Sequence, residues 1–297
     1  MSRLSGILNI NKEKGYTSSD AVSVVRKALG YVKAGHTGTL DPEAEGVLPV
    51  CVGKATKIAD YIGGGKQYRA GIKLGIITDT DDLTGRILEE RPVNADRNAL
   101  ESAARQFMGK SMQTPPMYSA VKIGGKKLYE LARAGKTADR VPREINIPQI
   151  RIMEYDPETH TAVMEVACSK GTYIRSLCSD IGRVLGCGAC MGALTRTRSG
   201  PFTLDGSITP DILREYITAG RIHEILYTIE EVLKYKTVAV PARDEKRVIN
   251  GGSFHISDED AQDGSLVFAA VNGITAGIYV RDGDWYKPRV MLIGEPE

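Results

Sequence analysis

The sequence predicts an α+β protein in two parts. Strand-like and helix-like patterns follow one another up to about residue 235, whereas only short apolar runs separated by Gly, Asp and Asn follow it. The length of 297 residues also fits one large domain followed by a small one. We therefore expect a first domain over residues 1–235 and a second over residues 236–297.

The first elements place a compact strand–helix unit ahead of an acidic loop. Residues 6–12 are typical of a strand, and Thr17 and Asp20 have the spacing of a capping box that opens a helix. Apolar residues at helical spacing give that helix one buried face, and Gly30 marks its end. The acidic loop therefore follows directly on this unit.

Two strands are predicted after the loop. Residues 47–52 form a continuous apolar run, which is typical of a buried strand. Residues 66–74 alternate, so Tyr68 shares one face with Ile72 and Leu74. That face is expected to turn toward the core or toward a cleft beside it.

The remaining elements follow from the same patterns. Gly171 and Thr172 open a helix whose first turn carries Arg175 one residue off the apolar stripe, so this arginine reaches sideways while the stripe packs. Further helices are expected over residues 95–108, 127–134, 210–219 and 222–234, and further strands before Gly124-Gly125 and over 145–153, 161–168, 237–240, 265–271 and 275–280.

The loop over residues 35–42, with the sequence GHTGTLDP, is the strongest candidate for a functional site. Pro42 pushes Asp41 toward an extended backbone, and Gly35 and Gly38 permit turns or a close ligand approach that a side chain would block. The loop thus presents one carboxylate in a restricted backbone setting. On local chemistry alone, an ordinary Asp-Pro turn explains the same residues.

The longer string over residues 35–54 resembles the catalytic motif of the TruB family of tRNA pseudouridine synthases. One position departs from the family's pattern, because Lys12 is followed by Glu13 where the family usually has proline. Further matching segments follow in the same order, so that the likeness spans about residues 5–205; they are residues 66–69, 74–85, 113–122 and 168–175.

The resemblance implies a fold and a reaction. The fold would be the pseudouridine synthase fold, a mixed, mostly antiparallel sheet with flanking helices and a central RNA-binding cleft. Residues 247–252 and 273–277 are similar to a PUA domain, a small β-barrel that binds RNA. The reaction would convert the uridine at position 55 in the T-loop of tRNA to pseudouridine. It breaks the bond between uracil N1 and ribose C1′ and rejoins the base through C5 without net redox change, so no cofactor is expected.

The resemblance also assigns roles to individual residues. Asp41 would be the essential carboxylate, and the sequence leaves open whether it attacks the ribose or removes a ribose proton. Arg175 would pair with Asp41, and Tyr68 would stack on the target base, a contact worth ~1–3 kcal/mol. Without the resemblance, a surface arginine and a core tyrosine are the plainer interpretations. The other expected substrate-binding residues are His36, which would help hold the opened RNA loop, Tyr173 and Leu194, which would line the uracil pocket, and Lys12, Lys126 and Lys127.

The charge distribution favours an RNA partner. The formal net charge of +2 says little, because nucleic-acid affinity depends on where the charges lie. Residues 105–151 contain ten Lys and Arg against three acids, and residues 170–198 contain five against one. A charge run is usually a solvated surface, but two basic blocks beside the matched motifs indicate a phosphate-binding surface that includes Lys126 and Lys127. Residues 244–297 contain ten acids and five basic residues, so the tail is not expected to act by charge alone.

Several classes of protein are disfavoured. No apolar run approaches the ~20 residues that span a bilayer, and no signal-peptide pattern is present, so the cytoplasm is expected. Cys187-x-x-Cys190 is only half of a zinc site, and five cysteines do not suggest a disulfide framework. Asp79 and Asp81 resemble the start of an EF-hand, but Leu83 occupies a ligand position. We therefore expect no metal and no cofactor.

Two other functions remain open from the sequence. A non-catalytic tRNA-binding chaperone or scaffold would use the same cleft only to bind and refold tRNA, although the combination of Asp41, Tyr68 and Arg175 favours an enzyme. A relative that works inside a guide-RNA particle is the other alternative. Because the chain begins almost directly at the catalytic domain and has no extensions for protein partners, we expect a stand-alone enzyme.

Overall fold

The computed structural model describes residues 4–256 and 262–293 of the chain. Its α-helices are α1 (Ser18–Ala28), α2 (Arg97–Arg105), α3 (Leu128–Arg133), α4 (Ile174–Val184), α5 (Pro210–Thr218), α6 (Ile229–Leu233) and α7 (Glu245–Ile249). Short 3₁₀ helices cover Gly53–Ile58, Ile222–Glu224 and Ala242–Asp244.

The strands are numbered in chain order. Those before α4 are β1 (Gly6–Lys12), β2 (Ala34–His36), β3 (Glu45–Val52), β4 (Lys66–Leu74), β5 (Ile76–Thr78), β6 (Ile87–Glu90), β7 (Gly109–Gln113), β8 (Lys122–Ile123), β9 (Lys126–Lys127), β10 (Arg143–Ile147), β11 (Gln149–Asp156) and β12 (Thr161–Cys168). Those after it are β13 (Ala189–Ser199), β14 (Phe202–Thr203), β15 (Leu226–Tyr227), β16 (Lys236–Ala239), β17 (Phe254–His255), β18 (Leu266–Val271), β19 (Ile274–Asp282) and β20 (Trp285–Met291).

One large mixed sheet carries most of the fold. Its strands run in the order β11-β12-β4-β13-β3-β1-β15, with β14 beside β13 and β2 beside β3. The contact between β13 and β3 is parallel, and the other strand pairs of this sheet are antiparallel. Apolar side chains of the sheet pack with α1, α2 and α4 into the main core. The predicted mixed, mostly antiparallel sheet with flanking helices is thus confirmed.

A second, curled sheet follows Tyr235. Its strands run in the order β16-β18-β19-β20-β17, and β16 joins β18 in parallel while the other pairs are antiparallel. This sheet is the expected β-rich, PUA-like part of the fold.

The two sheets share one apolar cluster. Ile7 of the large sheet, Ile229 of α6, and Phe268 and Ile278 of the curled sheet are all buried in it. The ring of Tyr235 also packs on Phe268, with 5.5 Å between the ring centroids. The curled sheet therefore packs directly against the large sheet through this second apolar cluster.

The predicted strand over residues 145–153 is wrong. Its residues divide between β10, which pairs with β7 in a small separate sheet, and β11, which pairs with β12 at the edge of the large sheet. Pro148 lies between β10 and β11. Because proline has no backbone N–H, it interrupts a strand at this point and lets the chain pass from one sheet to the other.

The predicted helix over residues 222–234 is also wrong as a single element. The chain forms a 3₁₀ turn, the short strand β15 and then α6. Thr228 caps α6 and forms a capping box with Glu231, so a new helix begins there.

The region around Gly124-Gly125 differs from the prediction as well. Instead of one strand that leads into a helix, β8 and β9 form a short hairpin before α3. Gly124 and Gly125 have φ angles of +56° and +82°, which the two central residues of a tight hairpin turn require.

β13 was not predicted, although it lies between β4 and β3 near the centre of the large sheet. Its buried side chains include Arg196, which is fully buried. A charged residue at an inward position interrupts the apolar alternation by which strands are predicted.

Lys12 is buried at the end of β1. Its ammonium donates hydrogen bonds to the backbone carbonyls of Glu13 at 2.9 Å, Tyr16 at 2.6 Å and Pro42 at 3.0 Å. Burial lowers the pKa of Lys12, and the nearby Asp41 opposes this effect. Since the side chain is only 1% exposed, the predicted contact of Lys12 with substrate has no support in this geometry. Its ammonium instead ties β1 to the loop that follows Asp41.

The bond from Lys12 to Glu13 also accounts for the departure from the family's pattern. It uses the backbone carbonyl of Glu13, and proline would supply the same acceptor. The loop is therefore held in the same way with either residue.

We expect Lys12→Met to lower the free energy of unfolding by about 2–4 kcal/mol, because it leaves buried carbonyls without their donor. The matched control is Lys14→Met, since Lys14 is 67% exposed and only pairs with Glu43 on the surface. Urea unfolding measures both variants. Equal small losses in the two variants would contradict the structural role of Lys12.

Candidate active site

Asp41 and Arg175 form the central pair of the site. Arg175 Nε lies 3.0 Å from Asp41 Oδ2, and Arg175 Nη2 lies 3.5 Å from Asp41 Oδ1. The arginine side chain is 6% exposed, whereas the aspartate side chain is 41% exposed. The buried guanidinium therefore holds the carboxylate in a fixed orientation while leaving part of it open to a ligand.

Arg175 has further partners on two other segments. It donates to the carbonyl of Thr80 at 3.1 Å and to the carbonyl of Tyr118 at 2.7 Å. Asp82 Oδ2 lies 3.8 Å from its Nη1 atom. Asp82 was not among the predicted site residues, although it lies within the matched segment over residues 74–85. Four segments of the chain thus meet at one buried cation.

Asp82 is itself held in place by local hydrogen bonds. Its Oδ1 atom accepts from the Thr80 hydroxyl at 2.7 Å and from the backbone N–H and hydroxyl of Thr84 at 3.0 Å and 2.6 Å. These bonds leave Oδ2 directed at Arg175. A second carboxylate therefore balances the charge of the guanidinium.

Gln113 fixes the start of the helix that carries Arg175. Its side chain accepts a hydrogen bond from the Tyr173 N–H at 2.8 Å and donates to the Tyr173 carbonyl at 3.0 Å. Tyr173 is the N-cap residue of α4 and makes no side-chain cap of its own. Gln113 therefore satisfies the backbone at the helix start, a role that sequence pattern does not indicate.

The loop before Asp41 is supported from two sides. The Ser18 hydroxyl accepts from the Leu40 N–H at 2.8 Å and donates to the Leu40 carbonyl at 3.1 Å. On the other side, Arg196 Nη2 and Nη1 donate to the carbonyls of Gly38 at 3.2 Å and Thr39 at 3.4 Å. The backbone that presents Asp41 is thus bonded on both sides of the loop.

Tyr68 lies opposite Arg196 on neighbouring strands, and Leu194 lies opposite Ala70 in the same register. Since residues two apart in a strand share a face, Leu194 and Arg196 flank Tyr68 on one side of the sheet. Tyr68 is 6% exposed, and burial raises the pKa of its hydroxyl to about 12. Tyr68, Leu194 and Leu40 belong to the same core cluster as Ile174 of α4. The structure therefore gathers Tyr68 and Leu194 on the sheet face that meets the Asp41 loop and α4.

His36 ends β2 at the start of the same loop. Its ring is half-buried, and its Nδ1 atom has no hydrogen-bond partner among the described residues. Burial lowers the pKa of His36, and the nearby cations Arg196 and Lys66 lower it further. The imidazole is therefore neutral at pH 7.

Lys126 and Lys127 form β9 of the hairpin with β8. Lys126 is exposed, and Lys127 Nζ lies 5.3 Å from the centre of the Tyr129 ring. The hairpin follows the segment whose Tyr118 carbonyl binds Arg175. These lysines are thus placed on a surface that is connected to the central pair through one hydrogen bond.

A cavity of about 660 Å³ lies beside Thr80 and Tyr118, whose carbonyls bind Arg175. Its lining includes Thr80, Asp81, Tyr118, Arg140 and Asp180, but neither Asp41 nor Tyr68. Burial raises the pKa of Asp81 and of Asp180. The cavity adjoins the central pair without containing it.

Within residues 4–256 and 262–293, no group of three or more His, Cys, Asp or Glu side chains is arranged to hold a metal ion. The five cysteines are all buried and unpaired. Among the same residues, no helix has both the length and the apolar character needed to cross a membrane. The chemistry available at the site is that of an oriented carboxylate beside a buried tyrosine and a buried arginine.

The chain matches two family models. Residues 26–174 match the TruB family pseudouridylate synthase (N terminal domain), and residues 175–234 match the tRNA pseudouridylate synthase B C-terminal domain. The two matched segments meet inside α4, between Ile174 and Arg175, so they belong to one structural unit.

Proteins named tRNA pseudouridine synthase B are similar to this chain over most of their length. The one from Alkaliphilus oremlandii is 48% identical, and the match covers 85% of this chain and 83% of that protein. The one from Bacillus pumilus is 44% identical over 94% of this chain and 93% of its own. For Oceanobacillus iheyensis the identity is 41%, and both coverages are 91%.

Solved structures share the fold. A chain from the crystal structure of a Cbf5-Nop10-Gar1 complex is 26% identical and superposes with a TM-score of 0.70, covering 94% of this chain and 78% of its own. A chain from an H/ACA RNP bound to a substrate RNA containing 2′-deoxyuridine superposes with a TM-score of 0.72 at 23% identity, covering 97% of this chain and 85% of its own.

We expect Arg175→Met to lower the free energy of unfolding by about 3–5 kcal/mol, because it leaves two carboxylates and two buried carbonyls without their shared donor. Arg183→Met is the matched control on the same helix, since Arg183 is 75% exposed and pairs only with Asp180. We expect the control to change stability by about 0.5 kcal/mol or less. Urea unfolding measures the free energy of unfolding of both variants. Similar losses of free energy in the two would show that the buried pair does not organise the site.

Proposed function

This chain belongs to the TruB family of pseudouridylate synthases, and from this premise we propose that it converts the uridine at position 55 in the T-loop of tRNA to pseudouridine. The observation that carries the proposal is the Asp41 carboxylate, 41% exposed and held by an arginine that is itself 6% exposed. An oriented and accessible carboxylate is the group that the reaction requires beside the ribose.

Isomerisation of uridine needs three things from the protein. The glycosidic bond must break beside a carboxylate, the uracil must leave its stack to reach that carboxylate, and the detached uracil must be kept from water and from escape. We assign the first requirement to Asp41, either as a nucleophile at the ribose or as a base that removes a ribose proton. Arg175 fixes the direction of the carboxylate in both cases.

We propose that Tyr68 stacks on the target base and that Tyr173 and Leu194 complete the uracil pocket. Supporting this, Tyr68 and Leu194 lie on one face of the large sheet, and Tyr173 begins the helix that carries Arg175. Because burial raises the pKa of Tyr68 to about 12, its hydroxyl stays protonated at neutral pH. A neutral aromatic ring offers stacking without adding a charge to the detached base.

The same proposal includes the binding of tRNA. Lys126 and Lys127 lie on an accessible hairpin within the basic block, where they are placed to contact phosphates. His36, neutral and half-buried at the loop start, is placed to help hold the opened RNA loop. The salt dependence of tRNA affinity in a Lys126→Gln/Lys127→Gln variant tests the phosphate contacts.

We further propose that the protein acts on tRNA directly, in the cytoplasm and without an obligate protein partner. Its similarity to proteins named tRNA pseudouridine synthase B, at 41–48% identity, supports this more than its similarity to the subunit of the Cbf5-Nop10-Gar1 complex at 26%. The Asp41–Arg175 pair likewise favours an enzyme over a chaperone or scaffold that only binds tRNA.

The proposal also gives different roles to the two parts of the chain. We infer that residues 1–235 perform the chemistry and that residues 236–297 add tRNA affinity, because every residue assigned to the reaction lies on or beside the large sheet.

We expect Asp41→Asn to form no pseudouridine in a single turnover on unmodified tRNA transcript, while its tRNA affinity stays within about threefold, because the change keeps the shape and removes only the charged acceptor. Glu43→Gln is the control, since Glu43 is an exposed carboxylate two residues away in the same segment. Pseudouridine is mapped at single-nucleotide resolution. Modification by Asp41→Asn would refute the role of Asp41, and modification at another uridine by the wild type would refute the T-loop assignment.

We expect a chain that ends at Tyr235 to melt at a lower temperature, because Ile7 and Ile229 lose their contacts with Phe268 and Ile278. Its kcat at saturating tRNA should stay near that of a control chain ending at Ile293, while its KM rises, as when uniform binding is removed. A folded truncated chain whose kcat falls a hundredfold would contradict the assignment of the chemistry to residues 1–235 alone.

A further inference from the structure

One cation beside the Asp41 loop has no anionic partner among the residues that the structure describes. Lys66 begins β4, and its half-buried side chain runs to the backbone of Gly38, three residues before Asp41. A Cβ atom placed on Gly38 would lie 2.8 Å from Lys66 Nζ. Gly38 is therefore the residue whose missing side chain makes room for this ammonium.

No acceptor compensates the charge of Lys66 in the described part of the chain. No hydrogen bond or ion pair involves its Nζ atom there, and the Asp41 carboxylate pairs with Arg175 instead. The other charged groups that face Lys66 are Arg196 on β13 and Lys170 after β12. Lys170 is paired with Asp60 at 3.1 Å, so it supplies no anion.

The surroundings of Lys66 disfavour its charged form. Burial lowers the pKa of Lys66 to about 8, with further lowering by Arg196 and Lys170 and a small opposing effect from the Cys168 thiol. Burial, Arg196 and Lys66 itself lower the pKa of His36 at the start of the same loop, so this ring is neutral and supplies no anion. A cation held among cations costs free energy in the free protein, and an anion brought to the same place would remove that cost.

We propose that Lys66 Nζ binds one phosphodiester group of the substrate RNA, next to the nucleotide whose ribose meets Asp41. This inference rests on the proposed function, because it takes the ligand to be RNA. Phosphates are the anions of RNA, and each ribose carries them on its own 3′ and 5′ oxygens. A ribose placed at Asp41 therefore brings a phosphate close to the loop segment that Lys66 reaches.

The phosphate contact would make Lys66 a positioning residue and not a catalytic one. A lysine is a compact point charge that binds phosphate without demanding one geometry. Together with the pair of hydrogen bonds from Arg196 to the carbonyls of Gly38 and Thr39, it would set the distance between the RNA backbone and the loop. Asp41 would then meet the ribose in one orientation.

The stability of the free protein gives a first test. Because the pKa of Lys66 is lower in the folded chain than its usual value of 10.5, the charged side chain destabilises the fold below about pH 8, and this effect fades as the pH rises toward 10.5. Lys66→Met should therefore melt at or above the wild-type temperature at pH 7, and the difference should shrink at higher pH. A lower melting temperature at pH 7 would show that the ammonium supports the fold, and would overturn the proposal.

The second test is the salt dependence of affinity for unmodified tRNA transcript. We expect Lys66→Gln to weaken binding about tenfold and to reduce the slope of log K against log salt concentration by about one, as for one lost phosphate contact. Lys73→Gln is the matched control, because Lys73 lies at the opposite end of the same strand and donates to the Thr159 carbonyl. Equal slopes for Lys66→Gln and Lys73→Gln would overturn the proposal.

The pH dependence of the same affinity separates a phosphate contact from a structural role. Wild-type affinity should fall as the pH rises past about 8, where the free Lys66 loses its proton, and Lys66→Gln should lack this fall. Lys66→Arg should also lack it while keeping the salt slope, because a guanidinium does not titrate in this range. A wild-type fall that persists in both variants would assign the titration to another group and overturn the proposal.

Different measurements test the phosphate site and the proposed function, so either can be refuted without the other. Pseudouridine mapping with the wild-type protein tests the function alone. A wild type that forms no pseudouridine, but whose RNA affinity depends on Lys66 as described, refutes the function and leaves the phosphate site in place. Normal modification with a slope unaffected by Lys66→Gln refutes only the phosphate site.

Discussion

The site depends on one buried cation, the guanidinium of Arg175. It joins the Asp41 loop, the segment with Thr80 and Asp82, and the Tyr118 carbonyl to helix α4. None of these segments is adjacent in sequence to another, so the arginine brings together parts of the chain that the sheet alone leaves apart. A buried cation is tolerated only when its donors are matched, which is why two carboxylates and two carbonyls surround it. Asp41 is the member of this network whose side chain is most open to a ligand, at 41% exposed.

A second buried arginine, Arg196, holds the backbone of the loop that carries Asp41. Arg196 donates to the carbonyls of Val47, Thr39 and Gly38, so it connects β13 to the loop and to β3. Arg175 orients the side chain of Asp41 while Arg196 holds the backbone that presents it. With the loop fixed in this way before any ligand arrives, little conformational entropy remains to be lost on binding. Lys66 differs from both arginines, because its ammonium faces the same loop with no acceptor among residues 4–256 and 262–293.

Much of the fold could be predicted from the sequence, because β1, β4, β12 and helix α1 have regular periodicity and clear caps. The missed features share a physical cause, which is polar or irregular residues in buried places. Arg196 interrupts the pattern of β13, and Pro148 moves the chain from one sheet to another without any change in apolar periodicity. A lysine is normally expected at the surface, so sequence alone does not predict that Lys12 is buried and bonded to three carbonyls. The pairing of Asp41 with Arg175 came from family resemblance, since 134 residues separate them and no local pattern records the contact.

The apolar cluster shared by the two sheets has a consequence for the order in which the protein is made. Ile7 is translated well before its packing partners Phe268 and Ile278. The part of the cluster around Ile7 that packs on Phe268 and Ile278 therefore stays uncovered until those two residues have been made. Chains released early display this apolar face, which marks them for chaperones and proteases. The cluster shared by the two sheets is thus complete only after the strands that carry Phe268 and Ile278 have been made.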